Sequence, residues 1–177
     1  HELMHRRDRL SKISGEVLMI LVCYGHFITE HLRIHHRYVG TVRDSATSRF
    51  QESAYRFLAR VLPASFASAW RVEAGRLRQK GKPVWSRSNP FWRYLGGIGV
   101  CLAAAGAFGG MFGIILFFIQ AVTAIFLTEM INYIQHYGLT RKHLGDGSYE
   151  HTREHHSWNA PRPVTAAMLI NLQRHSD

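Results

Sequence analysis

The chain has 177 residues, 46% of them apolar, and a formal net charge of +10. That length suits one domain, and the basic balance fits an anionic membrane surface or an acidic partner; nucleic acid is set aside because no recognition motif accompanies the charge. Two cysteines without a CxxC give no support to a disulfide framework or a thiolate metal site, whereas twelve histidines point to imidazole chemistry.

The sequence starts at His1 without an initiator Met and stops at Asp177 inside what reads as a further histidine motif, so an internal segment of a longer protein is expected. His1-Glu2-Leu3-Met4-His5 places two histidines one helical turn apart and matches the HExxH pattern of zinc proteases. Under that reading His1 and His5 bind zinc, Glu2 is the general base and Asp146 is a further ligand. It leaves the other histidine clusters unexplained. Arg6, Arg7, Asp8 and Arg9 put this end in water.

Residues 15–28 are mostly apolar but shorter than the ~20 residues that cross a bilayer. A buried or interfacial helix is expected, carrying Glu30-His31-Leu32-Arg33-Ile34-His35-His36 at its C-terminal end. On an α-helix His31 and His35 share a face, and His36 lies about 100° round it. Imidazoles packed this closely read as metal ligands, the alternative being a solvated, basic helix end with incidental histidines. His26 falls one step off that face and reads as a packed or hydrogen-bonded histidine.

Residues 37–93 are polar and basic. Thr41 to Ser48 read as a loop. Helical spacing follows from Phe50 to Val61 through Tyr55 and Leu58, and a second short amphipathic helix is expected from Trp70 to Leu77. Gly81, Pro83, Ser86, Ser88, Asn89 and Pro90 mark a loop.

Residues 94–128 carry no charge. One straight helix of that length would span about 50 Å, well beyond a hydrocarbon core of about 30 Å. Gly106, Gly109, Gly110 and Gly113 suggest a hairpin instead, with a helix near 94–108, a turn near Gly109-Gly110 and a second helix near 112–136. Arg87, Arg93, Arg141 and Lys142 flank its two ends, which the positive-inside rule places in the cytoplasm. His136 then returns to the side that carries His1 to His36. Glu129, Asn132 and His136 share one helical face. Glu129 is a functional candidate because an ionisable group at the membrane end of a helix is costly without a partner. A carboxylate behind a metal-bound imidazole fixes its tautomer, a role open to Glu129, Glu2 and Glu30. The tail, 139–177, is polar with a turn at Gly145-Asp146-Gly147. His143, His151, His155 and His156 read as solvent-facing.

His1-Glu2-x-x-His5, Glu30-His31-x3-His35-His36, Asn132-Tyr133-x-x-His136-Tyr137-Gly138 and Leu172-Gln173-Arg174-His175-Ser176-Asp177 occur in that order. The chain resembles, over essentially its whole length, the integral-membrane non-haem diiron alkane hydroxylase (alkane 1-monooxygenase) family. The resemblance implies an all-α membrane bundle with a transmembrane hairpin over 94–136, a cytoplasmic His-motif region over 1–93 and a cytoplasmic tail over 137–177. It implies two iron ions held by His1, His5, His31, His35, His36, His136 and His175, supported by Glu2, Glu30, Glu129, Asn132 and Asp177. The activity implied is hydroxylation of the terminal carbon of an alkane, with O₂ and with electrons from rubredoxin and its reductase, in the bacterial inner membrane among lipid. Hydroxylation of methyl groups on aromatics, as in xylene monooxygenase, is the neighbouring alternative. The pattern departs from the family at Gln135, where the family has Glu. The family also completes its ligand set with two histidines after Ser-Asp and carries further helices upstream, so this segment alone is not expected to hold a full iron pair or to be active. Imidazole ligands also suit zinc, copper and nickel, so ligand type does not choose the metal.

Two further expectations follow. Counting back from Glu129, Ile125, Val122 and Phe118 form an apolar stripe suited to lining a channel for an alkyl chain. The basic segments 71–93 and 141–142 suit an acidic electron carrier such as rubredoxin.

Overall fold

The computed structural model describes residues 2–6 and 8–158, with only the backbone of Glu2. His1, His175 and Asp177 lie outside the described residues. The chain forms helices α1 (Glu2–His5), α2 (Arg9–Leu21) and α3 (Phe27–Glu30), a π-helical turn at His31–His35, then α4 (His36–Tyr38), α5 (Ala54–Gln79) and α6 (Phe91–His136). A two-stranded hairpin, β1 (His143–Gly145) and β2 (Ser148–Tyr149), and a 3₁₀ turn at Glu154–His156 follow. The architecture is helical, as expected, and the small hairpin closes through the foreseen turn, with Asp146 and Gly147 both at positive φ.

The apolar run 15–28 is not one helix. Helix α2, capped by the Asp8 carboxylate accepting from the Ser11 amide at 2.8 Å, ends at Leu21. Cys23 then takes a left-handed φ of 56°, which no helix interior tolerates. The reversal turns Tyr24 and Phe27 inward together with Met4. Gly25 permits it: a Cβ there would stand 2.8 Å from Cγ of Tyr94.

Helix α5 corrects a second expectation. The two short helices expected in this region are one helix of 26 residues that runs through Pro63. Proline removes one intrahelical hydrogen bond and crowds the carbonyl four residues back. Here it lies on the exposed side, while Phe57, Val61, Ser65, Ala69, Glu73 and Leu77 form an unbroken buried stripe at four-residue spacing. That continuous burial outweighs the local defect.

Helix α6 breaks at Gly110, where φ is 56° and ψ is −147°. The chain folds back there, and Gly113 packs directly on the carbonyl of Ala105. Only glycine fits so close an approach. Of the most apolar eighteen-residue window only 6% is buried. Outward-facing apolar side chains over such a length suit lipid rather than the core of a water-soluble bundle. Both feet of the hairpin rest on α5: Met130 and Tyr133 pack near Phe57 and Val61, and Phe91 and Tyr94 pack near Ala69 and Trp70. Helix α5 therefore holds the start and end of α6 on one side of the molecule. Arg141 fastens the tail there, its amide donating to the Gly40 carbonyl at 2.7 Å and its guanidinium to the carbonyls of Arg37 and Glu150.

Candidate metal centre

The π-helical turn changes which histidines meet. A wider turn stacks residues five apart, and the His36 amide donates to the His31 carbonyl. His36 Nε2 consequently lies 3.1 Å from His31 Nε2. The α-helical reading had instead grouped His31 with His35. Helix α1 adds His5, whose Nε2 is 3.2 Å from the same atom of His31. Ligands about 2.1 Å from a shared ion stand roughly 3.0–3.4 Å apart in octahedral or tetrahedral geometry. His5, His31 and His36 thus have the spacing of three ligands on one ion. His31 is 1% exposed, whereas His5 and His36 are accessible. Burial, then the charges of His35 and His5, push the His36 pKa down to about 4, so the ring is neutral and competent to bind metal near pH 7.

The second grouping is His35 with His136. Their rings are 4.8 Å apart, and the His35 ring stacks on His31 at 5.3 Å. Nδ1 of His35 is 2.9 Å from the Asp44 carboxylate, and Nδ1 of His136 is 3.2 Å from the His156 carbonyl. An acceptor at Nδ1 places the proton there and leaves Nε2 as the ligating nitrogen. A cavity of about 40 Å³ adjoins both rings, enough for an ion or a water. The histidine cluster therefore offers an imidazole environment in which His5, His31 and His36 could hold a metal ion.

A family model for fatty acid desaturases matches residues 1–177. The chain belongs to the fatty acid desaturase family. Over its full length it is 43% identical to alkane 1-monooxygenase 1 of Pseudomonas aeruginosa and 41% identical to alkane 1-monooxygenase 1 of Alcanivorax borkumensis, covering 46% and 44% of those proteins. It is 29% identical to the xylene/toluene monooxygenase hydroxylase component of Pseudomonas putida, covering 48% of it. The chain spans about half the length of the curated relatives it matches. The resemblance to membrane alkane hydroxylases, read from four histidine motifs, is borne out.

Within this desaturase-family scaffold, the carboxylate contact to a histidine of the cluster comes from a residue the sequence reading missed. Asp44 sits in the loop after α4, held by the Thr47 hydroxyl at 2.6 Å and the Ala46 amide at 3.1 Å. Burial opposes its charge, but the facing His35 holds its pKa below the ordinary carboxylate range. Burial likewise opposes a charged His35, and Asp44, with Glu30 and Glu129, raises its pKa nonetheless. No periodicity marks a loop residue such as Asp44. The only local signal is an Asp three residues before a Thr, a pattern that builds its own turn.

Glu30 and Glu129, two of the expected supporting residues, are buried close enough to His35 to raise its pKa. Glu30 is buried, accepts from the Ser45 hydroxyl at 3.4 Å, and has its pKa pushed up to about 8, first by burial and then by Asp44. Glu129 accepts from the Tyr24 hydroxyl at 2.6 Å and from Asn132 at 3.4 Å. Glu129 thus braces Tyr24 and is itself held by Asn132, and Tyr24 stacks on Phe27, which stacks on His31. Of the apolar stripe, Ile125 packs against Met4, Tyr24 and Phe27, while Phe118 and Val122 are 48% and 64% exposed.

His143, His151 and His155 are exposed, as expected, but His156 is buried. Its Nδ1 accepts from the Arg153 amide at 2.9 Å, which puts its proton on Nε2, 3.4 Å from the Glu150 carboxylate. His156 is thus a structural clamp whose carbonyl serves His136. His26 is packed edge-on against Tyr24 and Phe66, and burial lowers its pKa to about 4.

Proposed function

We propose that this chain carries the metal-binding part of a membrane monooxygenase that hydroxylates the terminal carbon of alkanes, using O₂ and electrons delivered by rubredoxin and its reductase. The observation that carries the reading is the convergence of His5, His31 and His36 beside His35 and His136, in a chain 38–43% identical to alkane 1-monooxygenases over its whole length. The donor set suits two iron ions, with His1 and His175 as further ligands by resemblance and Glu2 and Asp177 beside them. Iron in an imidazole site supplies the reduction of O₂ and the oxidation of the C–H bond when bound.

The chain's own residues supply positioning and dryness. Asp44 keeps the His35 proton on Nδ1, and the His156 carbonyl does the same for His136. Met4, Tyr24, Phe27 and Ile125 form an apolar wall beside His31 that excludes water and suits an alkyl chain. The hairpin 94–136 crosses the inner membrane twice, with basic flanks and metal centre on the cytoplasmic side. Segments 71–93 and 141–142 attract an acidic carrier, an attraction screened over ~8 Å at physiological salt.

The test uses membranes containing the full-length protein, given octane under ¹⁸O₂. Labelled 1-octanol is the expected product. His36→Ala and His136→Ala should each abolish it and lower the iron content, whereas His151→Ala should resemble the parent. Oxidation of p-xylene methyl groups with no alkane product would favour the second reading, which the relationship to the xylene/toluene monooxygenase component supports.

A further inference from the structure

Behind the Asp44 loop, apart from the cluster of histidines, lies a cavity of about 430 Å³ lined by Arg43, Arg49, Arg60, Arg71 and Arg141. Its volume falls in the range of small-molecule sites, roughly 300–1,000 Å³. The charge within it is unbalanced. Arg60 is paired with Glu52 through two 2.8 Å hydrogen bonds. Arg141 is held by carbonyl oxygens, which fix its position without neutralising it. Among the described residues Arg43, Arg49 and Arg71 form no ion pair. The lining thus holds five arginines and one carboxylate, Asp44, which is already engaged by His35; Glu52, the partner of Arg60, is not part of the lining.

The two sides of α5 differ in character. Helix α5 contributes Arg60, Ala64, Ser68 and Arg71 to the cavity. Its exposed apolar residues Leu62 and Phe66 lie two positions away from these, roughly 200° round the helix at about 100° per residue. Arg60, Ala64 and Ser68 therefore lie on a different side of α5 from Leu62 and Phe66, although exposed Val42 and Phe50 also line the cavity. A concave pocket of this size also differs from a protein docking face, which takes about 800 Å² from each partner. Several guanidinium groups around one space match the oxygens of linked phosphates, which arginine binds in paired, planar fashion.

We propose that this cavity is a binding site for a soluble diphosphate-class anion, separate from the metal centre; Arg71 and Arg141 also fall in the basic segments assigned above to an acidic carrier, and the polyglutamate arm of the test separates the two. The test is calorimetric titration of the purified full-length protein in phosphatidylcholine nanodiscs with inorganic pyrophosphate, at ionic strength held constant with NaCl. Saturable binding is expected, tighter than for inorganic phosphate. It should weaken roughly tenfold or more in Arg43→Gln/Arg71→Gln, which removes two of the charges that would pair with the anion. Arg87→Gln, in the basic loop outside the cavity, should bind as the parent does. Thermal melting establishes that the double variant is folded; should it fail to fold, exposed Arg49→Gln alone carries the comparison. Absence of saturable binding at millimolar pyrophosphate, or undiminished binding by the folded variant, overturns the proposal. So does binding seen only with phosphatidylglycerol in the nanodisc, or only with a polyglutamate peptide, which would assign the charge to lipid or to an acidic protein.

Discussion

The Asp44 carboxylate lies 2.9 Å from Nδ1 of His35, nine residues earlier in the chain, and both side chains are buried. A charged acceptor behind a ligating imidazole fixes its orientation and raises its basicity. Asp44→Asn keeps the shape and removes the charge. Metal affinity of the full-length protein should fall about 10–100-fold, the usual cost of losing such a partner, as measured by competition with a chelator. An unchanged affinity would reduce Asp44 to a loop-building residue that holds Ala46 and Thr47.

The family was legible in the histidine motifs because histidine at helical spacing is an unusual pattern with a chemical meaning. The hairpin was legible because an uncharged run too long for one crossing contains glycines at its middle. What sequence did not show was local backbone geometry. An α-helical wheel pairs His31 with His35, while the π-helical turn pairs His31 with His36, and no residue type in 31–35 announces that turn. The break after Leu21 depends on Cys23 adopting a left-handed conformation, a tertiary effect of packing Gly25 against Tyr94. The continuity of α5 through Pro63 arises in the same way, from burial on the opposite face. Asp44 carries no periodic signal in the sequence, and His156 reads as solvent-facing but is buried, because such residues take their roles from contacts distant in sequence.

Arg60 ties the Asp44 loop to α5. Its guanidinium donates to Glu52 and to the carbonyls of Ser45 and Thr47 at 2.8 and 3.1 Å. Arg60→Ala should destabilise the protein by about 1.5–3 kcal/mol, because it strands the Glu52 carboxylate and two carbonyls. The Arg60 hydrogen bonds hold the Glu52 pKa below the ordinary carboxylate range. A depressed pKa contributes stability that is complete above the unfolded value, about 4.3, and is lost as pH falls through the lower folded value. Melting temperature should therefore decline on acidification below that value in the parent and decline less steeply in Arg60→Ala. Equal slopes would place the acid sensitivity elsewhere.

The fold-back at Gly110 puts Phe108 at the tip of the hairpin, where it is 94% exposed. If both feet are cytoplasmic, this tip faces the periplasm. A cysteine at Phe108 is the appropriate probe, because Gly110 itself has a positive φ that a side chain would strain. With Cys23 and Cys101 replaced by serine, Phe108→Cys in the full-length protein should react with a membrane-impermeant maleimide added to spheroplasts. Labelling only after lysis would place the tip in the cytoplasm and overturn the two-crossing topology.

Ile125 is the member of the apolar stripe nearest the metal centre, since it packs on Tyr24 and Phe27 and Phe27 stacks on His31 at 5.1 Å. Phe118 lies seven residues earlier, about 10.5 Å farther along the helix at 1.5 Å per residue. The proposed alkane substrate offers no polar handle, so under that proposal its length would be read by where the space ends, and one methylene is worth only about 1–3 kcal/mol. Ile125→Trp would close the space close to the histidines. Oxidation of hexadecane should be lost while oxidation of hexane persists. Phe118→Trp should move the cut-off to longer chains, because it blocks two turns farther from the metals. Both variants are assayed in the full-length enzyme with product quantified by gas chromatography and iron content measured in parallel. Equal loss on short and long alkanes with normal iron would show that Ile125 serves packing alone, and an unchanged cut-off in both variants would place the alkyl chain along a different helix face.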